Sequence, residues 1–301
     1  MTTTLRILIM VMLALSASLV KAQMPEIPST LRTPAERAAY LTVHFWDNVG
    51  FDNPADLQPE GPVEQHFSNF ISIFDHTDSA SIAQGFKNLI GKAAKSGDDA
   101  SAAIADLAEK YLFEVESPVH SDKYFLIYAS ESPLFTSPKI SKERIEYMSK
   151  VASSNTPGCR GEDFTFINGE QKVDTLCSVL NAAPLNILVL YDPECDHCNH
   201  TISALRYNWA ICNAIDKGFA QIILIYPEGD KEVWQSHLPA KTAKGFIYGF
   251  APEWLDENGD EYYYLRSTPT LYLLDSSGTV LNKDATADEL IAKINDYTTT
   301  H

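Results

Sequence analysis

The sequence predicts two domains, an all-α domain over residues 24–152 and an α/β domain over residues 153–301. In the first domain, apolar residues recur at helical spacing. In the second, an unbroken apolar run at 187–191 stops at Asp192-Pro193 and gives way to helical spacing, as expected for a buried strand followed by a helix. Upstream of this run, Asn168-Gly169 separates two short alternating segments and predicts a β-hairpin.

Residues 1–22 have the features of a signal peptide. Arg6 precedes an apolar run at 7–15, and Val20-Lys21-Ala22 places small side chains at the two positions that a signal peptidase recognises. The run is shorter than the ~20 apolar residues that cross a bilayer. We therefore expect a bacterial protein that is exported to the periplasm or secreted, with no membrane insertion after the signal is removed. The alternative is an apolar helix retained as core or anchor.

The chain is strongly acidic, with a formal net charge of −17. Removal of the predicted signal peptide takes away two basic residues and no acidic ones, which leaves −19. Because no basic cluster offsets this charge, nucleic acid and anionic membranes are poor partners. A hydrophobic content of 45% is sufficient for two packed cores in 301 residues.

The all-α domain begins at a recognisable helix start. Thr33-Pro34-Ala35-Glu36 is a capping box with proline at the first helical position. Two further helices are predicted at 123–130 and 142–151. Stripes at i, i+3, i+4 and i+7 predict the helices between, namely Phe67, Phe70, Ile71 and Phe74; Ile82, Phe86, Leu89, Ile90 and Ala93; and Ile104, Leu107, Tyr111 and Leu112. These stripes are expected to form the domain core rather than an aromatic ligand groove.

The α/β domain is predicted from its hairpin onward, with strands at 163–167 and 172–176. The helix after the 187–191 strand carries Ile202, Leu205, Trp209 and Cys212 at helical spacing, so Cys212 is predicted to be an inert core thiol. The remaining predictions are a strand at 221–226, a helix at 232–234, an irregular tract at 244–259, a strand at 270–275, a turn at 276–278, a last strand, and a helix capped by Thr286-Ala287-Asp288-Glu289.

Cys195 and Cys198 stand on the first turn of the helix that follows the buried strand. Free backbone N–H groups and the positive end of the helix dipole favour the thiolate of Cys195, while Cys198 lies one turn further in. His197 would also favour the thiolate, whereas the charges of Asp196 and Glu194 oppose it. This arrangement predicts a redox-active pair in which Cys195 attacks a disulfide and Cys198 resolves the mixed disulfide.

The segment at 155–298 resembles a thioredoxin-like domain, because the Cys195-Asp196-His197-Cys198 pair is followed by Ser267-Thr268-Pro269-Thr270 before a strand. The resemblance implies that Pro269 is cis and faces the dithiol, and that Thr268 offers its backbone to an extended client peptide. It further implies a thiol-disulfide oxidoreductase without a cofactor, with disulfide- or thiol-containing protein clients and a redox partner that recycles it.

Two other resemblances concern the flanking regions. The hairpin is similar to the one that opens peroxiredoxin-like and membrane-tethered thiol-disulfide oxidoreductase domains. The stretches at 40–47 and 108–112, with Ser117-Pro118 after them, resemble a helical domain of unknown function that precedes thioredoxin-like domains in exported bacterial proteins. That resemblance describes an architecture and implies no activity.

The sequence departs from its relatives near the dithiol. Thioredoxins commonly carry tryptophan immediately before the first cysteine and a buried carboxylate six residues before it, where this chain has Glu194 and Val189. Peroxide-reducing relatives need threonine or serine three residues before the cysteine and proline seven before, where this chain has Asp192 and Leu188. A narrow client range is therefore expected, and peroxidase activity is disfavoured.

Several alternatives remain open at this point. No metal site is expected, because Cys195, His197, Cys198 and His200 cannot all converge from one helical turn. Cys195 and Cys198 could instead form a purely structural disulfide in a noncatalytic envelope binding module.

A second disulfide is suggested by the hairpin. Cys159 and Cys177 flank Asn168-Gly169 almost symmetrically, so a structural disulfide and two unpaired thiols are both compatible with the sequence.

Overall fold

The structure is a computed structural model that describes residues 24–301. The predicted signal peptide lies outside the described residues, and its assignment stays a prediction. The described chain divides into two compact units, one that ends at Ala152 and one that spans Ser153–His301. Within the described residues, every helix is too short or too polar to span a membrane.

The first unit is entirely helical. Its α-helices are α1 Pro34–His44, α2 Pro62–Ile71, α3 Ser79–Ser96, α4 Asp98–Ala108, α5 Asp122–Glu131 and α6 Lys142–Ser153. Short 3₁₀ turns lie at Pro54–Leu57, Phe74–His76 and Ser132–Leu134, and a π turn at Glu109–Phe113 continues α4.

The structure of this unit contains the predicted capping box and the predicted aromatic core. At the start of α1, the Glu36 N–H donates to Thr33 Oγ1 at 3.2 Å and the Thr33 N–H donates to the Glu36 carboxylate at 2.9 Å, which confirms the capping box. The aromatic stripes are buried and pack edge to face, as in the pair Phe70–Phe74 with ring centroids 4.8 Å apart. The prediction that the stripes form the core is therefore confirmed.

The second unit contains a seven-stranded mixed sheet in the order β2-β1-β5-β4-β3-β6-β7. Its strands are β1 Thr165–Asn168, β2 Val173–Thr175, β3 Leu185–Leu190, β4 Ala220–Pro227, β5 Phe246–Ala251, β6 Thr270–Asp275 and β7 Val280–Asn282. Its helices are α7 Leu176–Leu180, α8 Asp196–Tyr207, α9 Trp209–Asp216, α10 Lys231–Ser236 and α11 Ala287–Thr300. An α/β unit after an all-α unit is the predicted fold class, which is confirmed.

Strand β3 is the centre of this unit. All six of its residues are buried, it runs parallel to β4, and it pairs antiparallel with β6. Because side chains alternate across a sheet, Ile187 and Val189 enter the apolar layer that includes residues of α8 and α11, while Leu188 and Leu190 enter the opposite layer with Trp254. Burial on both faces explains why the run from Ile187 to Leu190 is continuously apolar.

The predicted irregular tract at 244–259 is wrong, because it contains strand β5. This strand pairs parallel with β4 and antiparallel with β1. Gly249 permits the pairing, since a Cβ there would lie 2.5 Å from the Phe166 ring and 2.6 Å from Ile225. In a sequence, a glycine that is needed for close packing cannot be distinguished from a glycine in a loop. The strand was therefore not predicted.

The prediction that Cys212 is a core thiol is also wrong. Helix α8 ends at Tyr207, and the Asn208 side chain caps a new helix by accepting from the Ala210 N–H at 2.9 Å. Because α9 begins at Trp209 as a separate helix, it buries a different set of residues from the one predicted for a continuous helix. Ile211 and Ala214–Ile215 are buried, whereas Cys212 is exposed and Trp209 is 74% exposed.

Candidate functional site

A tight turn connects β3 to α8 and presents Cys195. The Asp192 carboxylate accepts from the Glu194 N–H at 2.8 Å, and the Asp192 carbonyl accepts from the Cys195 N–H at 3.2 Å. The Asn199 side chain donates to the Pro193 carbonyl at 3.1 Å and ties the helix back to the turn. These contacts hold Cys195 at the N-cap position of α8, as the strand-to-helix pattern predicts.

The two thiols occupy different environments. Cys195 is partly exposed, whereas the Cys198 side chain is completely buried. Cys195 Sγ accepts a hydrogen bond from the Cys198 backbone N–H at 3.2 Å, which replaces the oxygen that usually caps a helix N-terminus. The accessible sulfur is therefore also the one that meets the helix N-terminus.

The environment of Cys198 favours its protonated form. Burial raises the pKa of Cys198 to about 12, and hydrogen bonding to Cys195 together with the charges of Cys195 and Asp192 adds to this effect. Position 189, six residues before Cys195, is a completely buried valine, so it provides no carboxylate to accept the Cys198 proton.

The Thr268-Pro269 peptide bond is cis, and the Thr268 carbonyl oxygen lies 3.9 Å from Cys195 Sγ. Sheet pairing explains this contact, since Leu190 at the end of β3 pairs with Thr270 at the start of β6. The residues just beyond both strand ends must therefore meet. The prediction that Pro269 is cis and adjacent to the dithiol is confirmed. Thr268 itself is exposed.

An ion pair behind this loop was missed by the sequence reasoning. Arg266 Nη1 lies 3.1 Å from Asp284 Oδ2, and the two side chains are only 5% and 2% exposed. Next to it, the Ser267 hydroxyl donates to the Pro269 carbonyl at 3.1 Å. The Arg266 and Asp284 contact joins the loop before β6 to the segment after β7. No local motif links residues 18 positions apart, so the sequence carried no signal for it.

Three acidic residues lie near Tyr226, and one of them also lies near Cys198. Burial raises the pKa of Tyr226, and the negative charges of Asp192, Glu194 and Asp230 raise it further. These three acidic residues are therefore close to one ring at the end of β4. The charge of Asp192 also raises the pKa of Cys198, so Asp192 lies near the cysteine pair.

Two predicted modulating residues, Asp196 and His197, are exposed on the first turn of α8. Within the described residues neither side chain makes a hydrogen bond or an ion pair, so their roles stay predictions.

The structure contains all five cysteines as free thiols. Cys159 Sγ accepts from Thr156 Oγ1 at 3.4 Å, and Cys177 Sγ accepts from Arg160 Nη2 at 3.4 Å. The backbone of Cys159 pairs with Val280, whereas Cys177 lies at the start of α7. Arg160, the residue after Cys159, therefore contacts Cys177. Whether Cys159 and Cys177 pair on oxidation stays a prediction.

The mixed sheet, the dithiol at the start of α8 and the cis-proline against Cys195 define the second unit as a thioredoxin-like domain. The chain as a whole combines this domain with a helical domain. Residues 6–155 match the family model described as a domain of unknown function (DUF5106), and this match covers the helical domain.

Several solved structures are similar to the chain. The chain is 26% identical to a thioredoxin-like protein from Bacteroides caccae, with a TM-score of 0.75 over 92% of this chain and 98% of that one. It is 29% identical to the C-terminal domain of an uncharacterized protein from Bacteroides fragilis, over 46% of this chain and 97% of that one, with a TM-score of 0.43.

The thioredoxin domain of a thiol-disulfide oxidoreductase from Bacteroides vulgatus is 16% identical, over 48% of this chain and 99% of that one, with a TM-score of 0.41. The structure of the Bacteroides caccae protein supports the fold of the chain. No curated protein matches the chain.

Proposed function

We propose that this protein is an exported thiol-disulfide oxidoreductase in which Cys195 attacks and Cys198 resolves. The observation that supports the proposal is the asymmetry of the pair. Cys195 is accessible, accepts the Cys198 N–H at 3.2 Å and lies 3.9 Å from the Thr268 carbonyl, while Cys198 is buried. A structural disulfide would require neither an accessible sulfur nor a backbone edge beside it.

The exchange proceeds in two balanced steps. The Cys195 thiolate attacks one sulfur of a client disulfide, the client S–S bond breaks, and one client thiolate leaves as the mixed disulfide forms. Cys198 then loses its proton and attacks Cys195 Sγ, which forms the Cys195–Cys198 disulfide and releases the second client thiolate. The client is reduced and the protein is oxidised. The reverse sequence oxidises a client dithiol, and the redox partner sets the direction.

The second step is expected to be the slower one. Because the pKa of Cys198 is raised to about 12, only a small fraction of this thiol is ionised at neutral pH. The buried Val189 provides no carboxylate to remove its proton. Mixed disulfides should therefore persist longer than in a protein that carries a proton acceptor at that position.

The acidic residues near Tyr226 and the dithiol favour cationic clients. Asp192, Glu194 and Asp230 are close enough to Tyr226 to raise its pKa, so they contribute negative potential beside the dithiol. Such a potential raises the encounter rate of positively charged partners and lowers that of negatively charged ones, with an effect that salt screens. Anionic glutathione disulfide is therefore expected to be a poorer substrate than a basic peptide disulfide.

Export is supported by the signal-peptide features of residues 1–22. In an oxidising compartment a dithiol needs a dedicated partner to stay reduced, because the bulk environment maintains disulfides.

The test uses the mature protein, with insulin reduction and glutathione exchange as assays. Cys195→Ser should abolish both activities, and Cys198→Ser should accumulate a covalent client adduct that intact mass spectrometry detects, because the resolving thiol is gone. Cys212→Ser, which changes an exposed cysteine on α9, is the matched control and should retain activity. Unchanged turnover in Cys195→Ser would refute the proposal and favour a noncatalytic envelope binding module.

A further inference from the structure

The step in which Cys198 attacks Cys195 Sγ requires a proton acceptor that neither cysteine provides. Cys198 is completely buried, so its thiol is shielded from bulk water. Burial raises the pKa of this thiol to about 12, so that only about 1 in 10⁵ side chains is ionised at pH 7. A thiol that is so weakly ionised needs a base held close to it.

Among the described residues, Cys198 interacts with three titratable groups. Cys195 is the sulfur under attack. Tyr191, at the end of β3, has a hydroxyl whose pKa is raised by burial. That phenol could accept a thiol proton only after it had lost its own, which the raised pKa opposes. Asp192 supplies the third group, a carboxylate, which is a hydrogen-bond acceptor only.

The turn between β3 and α8 holds Asp192 beside both sulfurs. Its backbone N–H offers a hydrogen bond to Cys198 Sγ, and its carbonyl accepts from the Cys195 N–H at 3.2 Å. Its Oδ1 accepts from the Glu194 N–H at 2.8 Å, which fixes the carboxylate against the same turn. Because the side chain branches from the backbone carbon next to that N–H, the carboxylate also lies near Cys198.

The second carboxylate oxygen of Asp192 is available. Within residues 24–301, Oδ2 makes no hydrogen bond to the protein, and no lysine, arginine or histidine forms an ion pair with this half-buried side chain. A nearby cation would favour the ionised carboxylate and weaken it as a base. Asp192 therefore combines proximity to Cys198 with an unpaired charge.

A transfer between the two groups avoids the repulsion that helps to keep Cys198 protonated. If the thiol lost its proton to water, two negative charges would stand side by side, and the charge of Asp192 accordingly adds to the effect of burial in raising the Cys198 pKa. When the carboxylate takes the proton, the pair keeps a single negative charge. Two acids that interact in this way titrate as a pair.

We propose that Asp192 accepts the Cys198 proton in the resolving step, an inference that rests on the proposed thiol-disulfide exchange. As the proton moves to the carboxylate, the Cys198 sulfur bonds to Cys195 Sγ, and the bond between Cys195 and the client breaks. The client thiolate leaves with the electron pair of that bond. The neutral Asp192 then gives its proton to solvent. In the reverse direction it returns a proton to Cys198 as that sulfur leaves.

Single-turnover exchange by the full mature chain tests the proposal. Reduced protein is mixed with an uncharged peptide disulfide, samples are quenched in acid, and intact mass spectrometry follows the mixed disulfide as it forms and decays. Asp192→Asn keeps the oxygen that accepts the Glu194 N–H and removes the proton acceptor. It should slow the decay by about a hundredfold at pH 7, as loss of a general base does, and leave the formation nearly unchanged.

The pH profile distinguishes a proton acceptor from a merely structural carboxylate. In the unaltered protein, the decay rate should be constant from about pH 6 to about pH 9, because an internal acceptor removes the need for hydroxide. In Asp192→Asn the rate should rise about tenfold per pH unit, because only the Cys198 thiolate formed by hydroxide can attack. A slow variant with a constant rate would refute the proposal.

Other groups around the turn do not create this difference. Tyr191 faces Cys198 and Tyr226 faces Asp192, and burial raises the pKa of both hydroxyls further above the range measured. His197, on the first turn of α8, is present in both proteins, so its titration cancels when the two profiles are compared.

Matched variants control for charge. Glu194→Gln and Asp230→Asn each remove one of the other two carboxylates near Tyr226, and each should change the decay by less than about twofold, since exposed charges are screened. Asp192→Glu retains a carboxylate and should recover part of the rate. Faster decay in Asp192→Asn would show that this residue acts by charge alone, and equal losses in all three neutral variants would assign the effect to surface potential. Either result refutes the proposal.

Failure of this inference is distinguishable from failure of the proposed function. If Cys195→Ser abolishes exchange while Asp192→Asn resolves at the unaltered rate, the oxidoreductase assignment stands and the role of Asp192 falls. If no variant forms a mixed disulfide, both are overturned. Should Asp192→Asn fail to fold, the unaltered protein decides, because a decay rate that rises about tenfold per pH unit there would exclude an internal acceptor.

Discussion

Cys198 should resist alkylation until the solution is strongly alkaline, while the rest of the protein remains folded. Only the thiolate reacts with iodoacetamide. With a pKa raised to about 12, about 1 in 10⁴ Cys198 side chains is ionised at pH 8, compared with about 1 in 10 for a thiol at the reference value of 9.0. Ionisation alone therefore slows the reaction about a thousandfold, and complete burial slows it further.

The measurement is alkylation of the fully reduced protein from pH 7 to pH 11, with each cysteine followed by peptide mass spectrometry. Cys159 and Cys212 are exposed and serve as internal reference thiols in the same sample. We expect Cys198 to stay unmodified while both reference thiols react completely. A Cys198 rate within tenfold of the reference rates at pH 8 would show that the environment of this thiol has been assigned wrongly.

The raised pKa of Cys198 also predicts the direction in which stability changes with pH. Between about pH 9, the reference value, and about pH 12, the folded reduced protein retains the Cys198 proton that the unfolded chain has lost. Stability contributed by this thiol is therefore fully present below about pH 9 and is lost as the pH rises toward 12. Urea unfolding of the reduced protein against pH should show this loss, and Cys198→Ala should remove it. An identical pH dependence in the two proteins would contradict the assignment.

Two further predictions concern a close packing contact and a buried hydrogen-bond network. Both are checked by the free energy of unfolding in urea. Gly85→Ala should destabilise the protein by about 1–2 kcal/mol, because the new Cβ would lie 2.7 Å from the Thr42 carbonyl oxygen. Gly91→Ala in the same helix meets nothing within 4 Å and should stabilise by about 1 kcal/mol, so equal signs would refute the steric argument. Asn186→Leu should cost about 3 kcal/mol, because the buried Asn186 Oδ1 accepts from Gln221 Nε2 at 2.6 Å and its amide donates to two backbone carbonyls. A loss below about 1 kcal/mol would contradict that role.

Much of the fold was predictable because its signals are local. The capping boxes at Thr33 and Thr286 lie within four residues each, and both are present in the structure. The continuous apolar run of β3 and the helix after it place Cys195 at a helix N-terminus without reference to the rest of the chain. Such features depend on bonds within one turn or on the period of one element, so neighbouring residues are sufficient to define them.

Other features depended on contacts between distant residues. The Gly-containing strand β5 is a strand because β4 and β1 flank it, and no nearby residue indicates this pairing. Cys212 is exposed because Asn208 restarts the helix and turns a different face to the core. In both cases the local pattern was compatible with two structures, and burial against distant elements selected one of them.

The candidate site combines both kinds of information. The sequence determined that two cysteines stand at a helix N-terminus and that Thr268-Pro269 precedes a strand. The tertiary structure decided that Leu190 pairs with Thr270, which brings the Thr268 carbonyl to 3.9 Å from Cys195 Sγ across 73 positions of sequence. It also decided that Cys198 is buried. Sheet register and burial are properties of the packed chain, because both depend on which strands, distant in sequence, pack together and exclude water.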